Sequence, residues 1–272
     1  MKTWTTLIRR EFWESRGLWI GPLCAAAFLL FATLAVVLYS GELNFAPRGL
    51  RMNGPPRDII GNDGAFALGV FGFGSLIFLV GGLAIWSYLV DSLYGERRDR
   101  SVLFWKSMPV SDTQTVLSKL LVGLLAAPVV MYAMVIVTHV LCSLLLLARP
   151  PSGFPIADYW RTTAALKAYG WLGLVMLVNA LWFAPAAAYA MLGSVVSRRS
   201  PWLVLLLPPI ILALGERIVF GTGHLARLLF VRFAPQLNVE GAVTSPSLWI
   251  GVVAAAVLIA AVIHLRRWRD DG

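Results

Sequence analysis

Charged residues are absent from long stretches of this chain. The intervals 17–41, 64–90, 120–148 and 168–197 carry none, and 241–263 forms another such run with Pro246 near its start. A bilayer core about 30 Å thick needs about 20 helical residues, so each interval predicts a membrane span. One more run, 200–215, is short and contains Pro208 and Pro209. It can still cross with a helix that starts nearer Val195, or it forms a kinked or broken segment. The expected architecture is an all-α integral membrane protein, a single domain over 1–272. Its six spans fall at about 18–40, 65–92, 120–147, 168–195, 200–215 and 247–265.

Two polar segments carry patterns of their own. In the lead-in, 3–16, Trp4, Leu7, Ile8 and Phe12 fall near one helical face, with Arg9, Arg10 and Glu14 largely off it. This suits a helix lying in the headgroup plane, and equally a plain basic anchor with aromatic belt residues. The second segment, 91–119, holds Asp91, Glu96, Arg97, Arg98, Asp99 and Arg100, and then Val102, Leu103, Phe104 and Trp105. An aromatic cluster beside mixed charges offers what a docking surface requires: apolar anchors for affinity and charges for register. A loop that snorkels its arginines at the interface would share that composition. After Pro109, Ser111 and Gln114 stand at capping-box spacing and predict a helix from Asp112 to about Leu147. Some 36 residues at 1.5 Å each make roughly 54 Å, so its first turns should project beyond the bilayer like a lever.

Composition agrees with lipid as the solvent: 58% of the 272 residues are hydrophobic and only 14% charged. The net charge of +9 lies between the apolar runs, where cations act as topology signals rather than as a nucleic-acid surface. With the N-terminus inside, the inner segments hold Lys2, Arg9, Arg10, Arg16, Arg97, Arg98, Arg100, Lys106, Lys119, Arg198, Arg199, Arg266, Arg267 and Arg269. The nine other cations spread over longer outer loops, so both termini are expected to be cytoplasmic.

Other features carry less. In the outer segment 216–244, Leu225, Leu228, Leu229 and Phe233 share a stripe with Arg227 and Arg232 off its centre, which fits either a short interfacial or re-entrant helix or an amphipathic loop packed on its own bundle. Glu216 and Arg217 are placed to pair at the outer boundary. Gly69, Gly72, Gly74, Gly81 and Gly82 thin the second span for close packing within the chain, or for a seam or moving joint. His139, inside the third span, suits either a hydrogen bond to a neighbouring helix or a transport role. Cys24 and Cys142 have no metal-ligand spacing. No phosphate-binding G-x-x-x-x-G-K-[ST], no H-E-x-x-H and no G-x-S-x-G occurs, so intrinsic enzyme activity is not expected. A secondary transporter would show repeat symmetry and polar midplane residues, neither of which stands out.

The string Leu93-Tyr94-Gly95-Glu96-Arg97-Arg98-Asp99-Arg100-Ser101, followed by Phe104-Trp105-Lys106-Ser107-Met108-Pro109-Val110-Ser111 and Leu117-Ser118-Lys119, resembles the signature region of type-2 permeases of bacterial ATP-binding-cassette (ABC) transporters. The opening Arg9-Arg10-Glu11-Phe12-Trp13-Glu14 is similar to that family's elbow helix. The resemblance implies an inner-membrane permease subunit of an exporter of lipid, peptide or other amphiphile. ATP and Mg would be held by two copies of a separate cytoplasmic ATPase, and a second permease copy would complete the path. It further implies that 91–119 contains a coupling helix, with Glu96, Arg97 and Arg98 for polar registration and Phe104 and Trp105 as anchors. Trp4, Arg9, Arg10, Glu11 and Phe12 would form the elbow. An assembly or anchoring protein that recruits a partner through the same loop is the alternative from another class.

Overall fold

A computed structural model describes residues 2–39, 64–99, 110–148 and 162–269. These residues are helical, with no strand among them. Amphipathic α1 (Lys2–Glu14) turns at Ser15 and Arg16 into α2 (Gly17–Tyr39). α3 (Gly64–Asp91) leads through two residues into short α4 (Tyr94–Arg98). α5 (Asp112–Leu121) continues through a π-helical turn, Val122–Ala126, into α6 (Ala127–Ala148). There follow α7 (Thr162–Val196), α8 (Pro201–Phe220), α9 (His224–Phe233), α10 (Val239–Thr244) and α11 (Pro246–Arg269).

Six helical segments are long and apolar enough to cross a membrane: Gly17–Tyr39, Phe66–Asp91, Asp112–Ala148, Ala164–Val196, Pro201–Phe220 and Pro246–Trp268. Lipid explains their outward faces, which expose Phe28, Phe31, Leu79, Leu83 and Ile250 with no polar residues to cover them. The core is built from the opposite faces: α7 packs along α11 and α3, while α2, α3 and α6 pack on one another. Leu18, Phe66, Val70, Ile77, Val116, Met131, Val135 and Met191 fill it. A Cβ at Gly81 would overlap the Met131 sulfur, so a larger residue there would force the Met131 side chain to move. Gly74 faces Val135 at ordinary contact distance, whereas Gly72 and Gly82 meet open space. The buried members of the glycine series thus serve packing between α3 and α6.

Two local signals act as expected. Ser111 Oγ accepts from the Gln114 N–H at 3.2 Å, and the Gln114 side chain accepts from the Ser111 N–H at 3.2 Å, closing the capping box that starts α5. The helix then runs to Ala148, 37 residues, but not uniformly. The π-turn inserts one residue where Gly123 lies under Leu89 of α3; a Cβ there would stand 3.0 Å from Leu89 Cδ2.

The fifth span differs from the expected 200–215. α8 covers 20 residues, passes through Pro208 and Pro209, and carries Glu216 and Arg217 in its last turns. It ends on Gly221, whose φ of 66° lies in the left-handed region that glycine alone enters without strain. Nor do Glu216 and Arg217 pair. Glu216 accepts instead from Thr222 Oγ1 at 2.7 Å and from the N–H groups of His224 and Leu225 at 2.9 and 2.7 Å. A carboxylate on unpaired N–H groups caps the start of α9 and suits its positive end.

α9 therefore folds back from the end of α8. It packs against α8 and α7, and Phe233 reaches Trp86 of α3, ring centres 5.2 Å apart. Asn179, in the middle of α7, fixes the chain beyond α9. Its Nδ2 donates to the Gln236 carbonyl at 2.9 Å, and its Oδ1 accepts from the Gln236 N–H at 2.8 Å. Replacing Asn179 with leucine strands both backbone groups, so a loss of about 1–3 kcal/mol is expected. Protease cleavage within 234–245 should rise in that variant, and unchanged cleavage would refute the role.

Candidate functional site

One end of the bundle gathers its charges inside. There Glu11 is 1% exposed, Lys119 3% and Arg266 5%. Lys119 Nζ donates to both Glu11 carboxylate oxygens, at 3.0 and 2.9 Å, and lies 3.0 Å from Glu96 Oε1. Arg266 Nη2 donates to Glu96 Oε2 at 3.0 Å, and its Nε stands 3.2 Å from Asp112 Oδ1. Arg10 is 3.2 Å from Glu11 and 3.6 Å from Glu96. Tyr88 donates its hydroxyl to Glu11 Oε2 at 2.9 Å. Three cations, Arg10, Lys119 and Arg266, thus meet Glu11, Glu96 and Asp112, and Arg10 also pairs with the exposed Glu14 at 3.0 Å. Such pairing is what burial of charge demands.

The network links α1, α3, α4, α5 and α11. Glu96 is the hub, since α1, α5 and α11 each send it a cation. Next to it, the turn from α3 into α4 is tied to the last turn of α7. Ser194 Oγ accepts from the N–H groups of Leu93 and Tyr94 at 3.0 and 2.9 Å. Arg97 Nη2 donates to the carbonyls of Ser194 and Ser197 at 2.6 and 3.0 Å, which are end carbonyls that α7 cannot satisfy itself. Tyr94 adds its hydroxyl to the Arg199 carbonyl at 2.8 Å. The short helix α4 and the turn before it are therefore held by side chains from α1, α5, α7 and α11.

The site residues expected from sequence fall into distinct places. Glu96 and Arg97 are part-buried in the contacts just described, whereas Arg98 is exposed and pairs with Asp99 at 3.1 Å. Phe104 and Trp105 lie outside the described residues. On α1, Leu7 is buried, Trp4, Ile8 and Phe12 are half-buried and Arg9 is exposed, so the apolar stripe turns towards the bundle. Glu11 shares that inward face, one turn after Leu7, and Arg10 reaches it from the side. Lys119, Arg266, Asp112, Tyr88 and Ser194 were not expected to act together. A faint signal existed for Glu11, an acid at i+4 from a buried leucine, but nothing local marks its partners.

His139 belongs to a separate place in the bundle. It is fully buried, with Nδ1 2.8 Å from the Tyr169 hydroxyl on α7 and the Phe66 ring edge-on at 4.8 Å. This is the helix-bridging hydrogen bond expected of a lone intramembrane histidine. Among the described residues, no group of three or more histidine, cysteine, aspartate or glutamate side chains could hold a metal ion. Comparison of the chain with known protein families, with characterised proteins and with solved structures finds no match.

Proposed function

We propose that this chain is the membrane-spanning permease subunit of an ABC exporter of amphiphilic, lipid or peptide substrates, driven by a separate ATPase that docks on the loop 91–119. The observation that carries the reading is the way Glu96 and Arg97, at the root of that loop, are bonded to α1, α5, α7 and α11. A push on the loop cannot stay local, because its root is ion-paired or hydrogen-bonded to most of the helices it would have to move. A connector that only joined two spans would need no such anchorage.

In this reading α1 is the elbow and α4 with the residues after it is the coupling segment. The charged end faces the cytoplasm, in accord with the cation distribution. Glu96 and Arg97 hold the coupling segment to the bundle, Arg98 is the charge left exposed for the ATPase, and Phe104 and Trp105 are its apolar anchors. ATP and Mg bind the ATPase, and a second permease copy completes the transport path.

The test is co-expression with a cognate ABC ATPase. A complex of two permeases and two ATPases is expected, with ATP hydrolysis dependent on this chain. Replacing both Phe104 and Trp105 with alanine is expected to reduce ATPase co-purification at least tenfold while leaving membrane insertion intact, since hot-spot aromatics carry most of an interface. Undiminished co-purification in that variant would remove the loop as the docking site. A stable stoichiometric complex without any ATPase would favour the anchoring protein instead.

A further inference from the structure

Arg232 is a half-buried cation without a counter-ion among the described residues. It lies near the end of α9, which turns back from α8. Its guanidinium stacks over Trp182 of α7, 4.2 Å from the ring centre. Trp182 precedes the end of α7 by 14 residues, about 21 Å of helix. Measured from the charged end, that depth falls within a hydrocarbon core of about 30 Å. No carboxylate among the described residues pairs with Arg232. Nη2 donates to the Ser247 carbonyl, but Nη1 is shielded and has no hydrogen-bond partner.

Three features show that the position is built rather than incidental. Trp182 is almost wholly buried and gives the cation a π face, which compensates only part of its lost hydration. Gly251 leaves the space the guanidinium occupies, since a Cβ there would overlap it. The contact with Ser247 sets the charge against the first turn of α11, whose positive dipole end repels a cation and attracts an anion. A half-buried cation at a positive helix end, with a shielded donor unused among the described residues, lacks one component. That component is an anion able to take a forked pair of N–H bonds, a phosphate or carboxylate.

The approach to Arg232 is apolar: Leu228 and Val231 on α9 and Trp249, Ile250 and Val253 on α11 are exposed where lipid would lie. A free, hydrated ion gains nothing from such surroundings, whereas an anion carried on acyl chains does. We propose that Arg232, framed by Trp182 and Gly251, binds the phosphate or carboxylate headgroup of an anionic membrane amphiphile. This site depends on the membrane placement of the bundle and not on what docks at the charged end, so it stands or falls apart from the transporter assignment.

The test uses the full chain purified in a non-ionic detergent and titrated with dioctanoyl phosphatidylglycerol or dioctanoyl phosphatidylcholine. The anionic lipid is expected to bind at least tenfold more tightly than the zwitterionic one. Arg232→Gln should erase that preference. Gly251→Ala keeps the charge but displaces the guanidinium, and should weaken the anionic lipid at least threefold. A preference that survives in both variants overturns the site. Displacement of the lipid by an equal concentration of inorganic phosphate overturns its assignment to an amphiphile.

Discussion

Lys119→Met is expected to destabilise the folded protein by about 3–5 kcal/mol, the range found when one partner of a buried ion pair is removed. The size follows from what is left behind. Lys119 alone satisfies both oxygens of Glu11 and approaches Glu96, and both carboxylates are deeply enclosed. Without it Glu11 keeps only the Tyr88 hydroxyl and the Arg10 guanidinium, and the cluster carries an excess of one negative charge over its native state. Adding Glu11→Gln to Lys119→Met removes that excess, so the double variant should recover part of the loss. Reversible unfolding in mixed micelles measures both. A single-variant cost below about 1 kcal/mol, the level of a surface pair, would mean that water reaches the cluster.

Ser194→Ala is the second large effect, and it acts through backbone rather than charge. The Ser194 hydroxyl is wholly buried and accepts from two consecutive backbone N–H groups at the start of α4. Alanine fits the space but accepts nothing, so two shielded donors go unsatisfied at about 1–3 kcal/mol each. The Leu93 and Tyr94 amides should then exchange with solvent much faster than in the parent protein. Ser194→Thr keeps the oxygen and should restore their protection if its methyl is accommodated. Equal exchange in parent and alanine variant would show that these amides are held by something else.

The membrane architecture was legible because it depends on local sums. A charge-free run of twenty or more residues has one low-energy arrangement in lipid, a helix with every backbone group bonded inside it. Capping at Ser111 and Gln114 was equally local. The fifth span was misjudged at its far end because a charge was taken as a boundary. Glu216 remains in the helix since its carboxylate folds over onto the N–H groups of α9, satisfying at once the acid and an uncapped helix start. Arg266 presents the same difficulty from the other side. Read in isolation it is one more cation after a span, yet it is buried against Glu96, 170 positions earlier in the chain.

The amino-acid sequence by itself determined the helices, their number and the presence of an unusual charged segment between the second and third spans. Hydropathy, capping and charge distribution act over a few turns, and their energies are large enough to outweigh alternatives. Only the tertiary structure decided which charges meet. Glu11 and Lys119 are 108 positions apart, and burial of either is tolerable only because the other arrives at the same place. The same holds for Arg232 over Trp182: a cation off the centre of an apolar stripe looks fully solvated until the chain folds back and stacks it on that ring. Pairing across the bundle is set by how helices pack, and packing is a property of all six spans together.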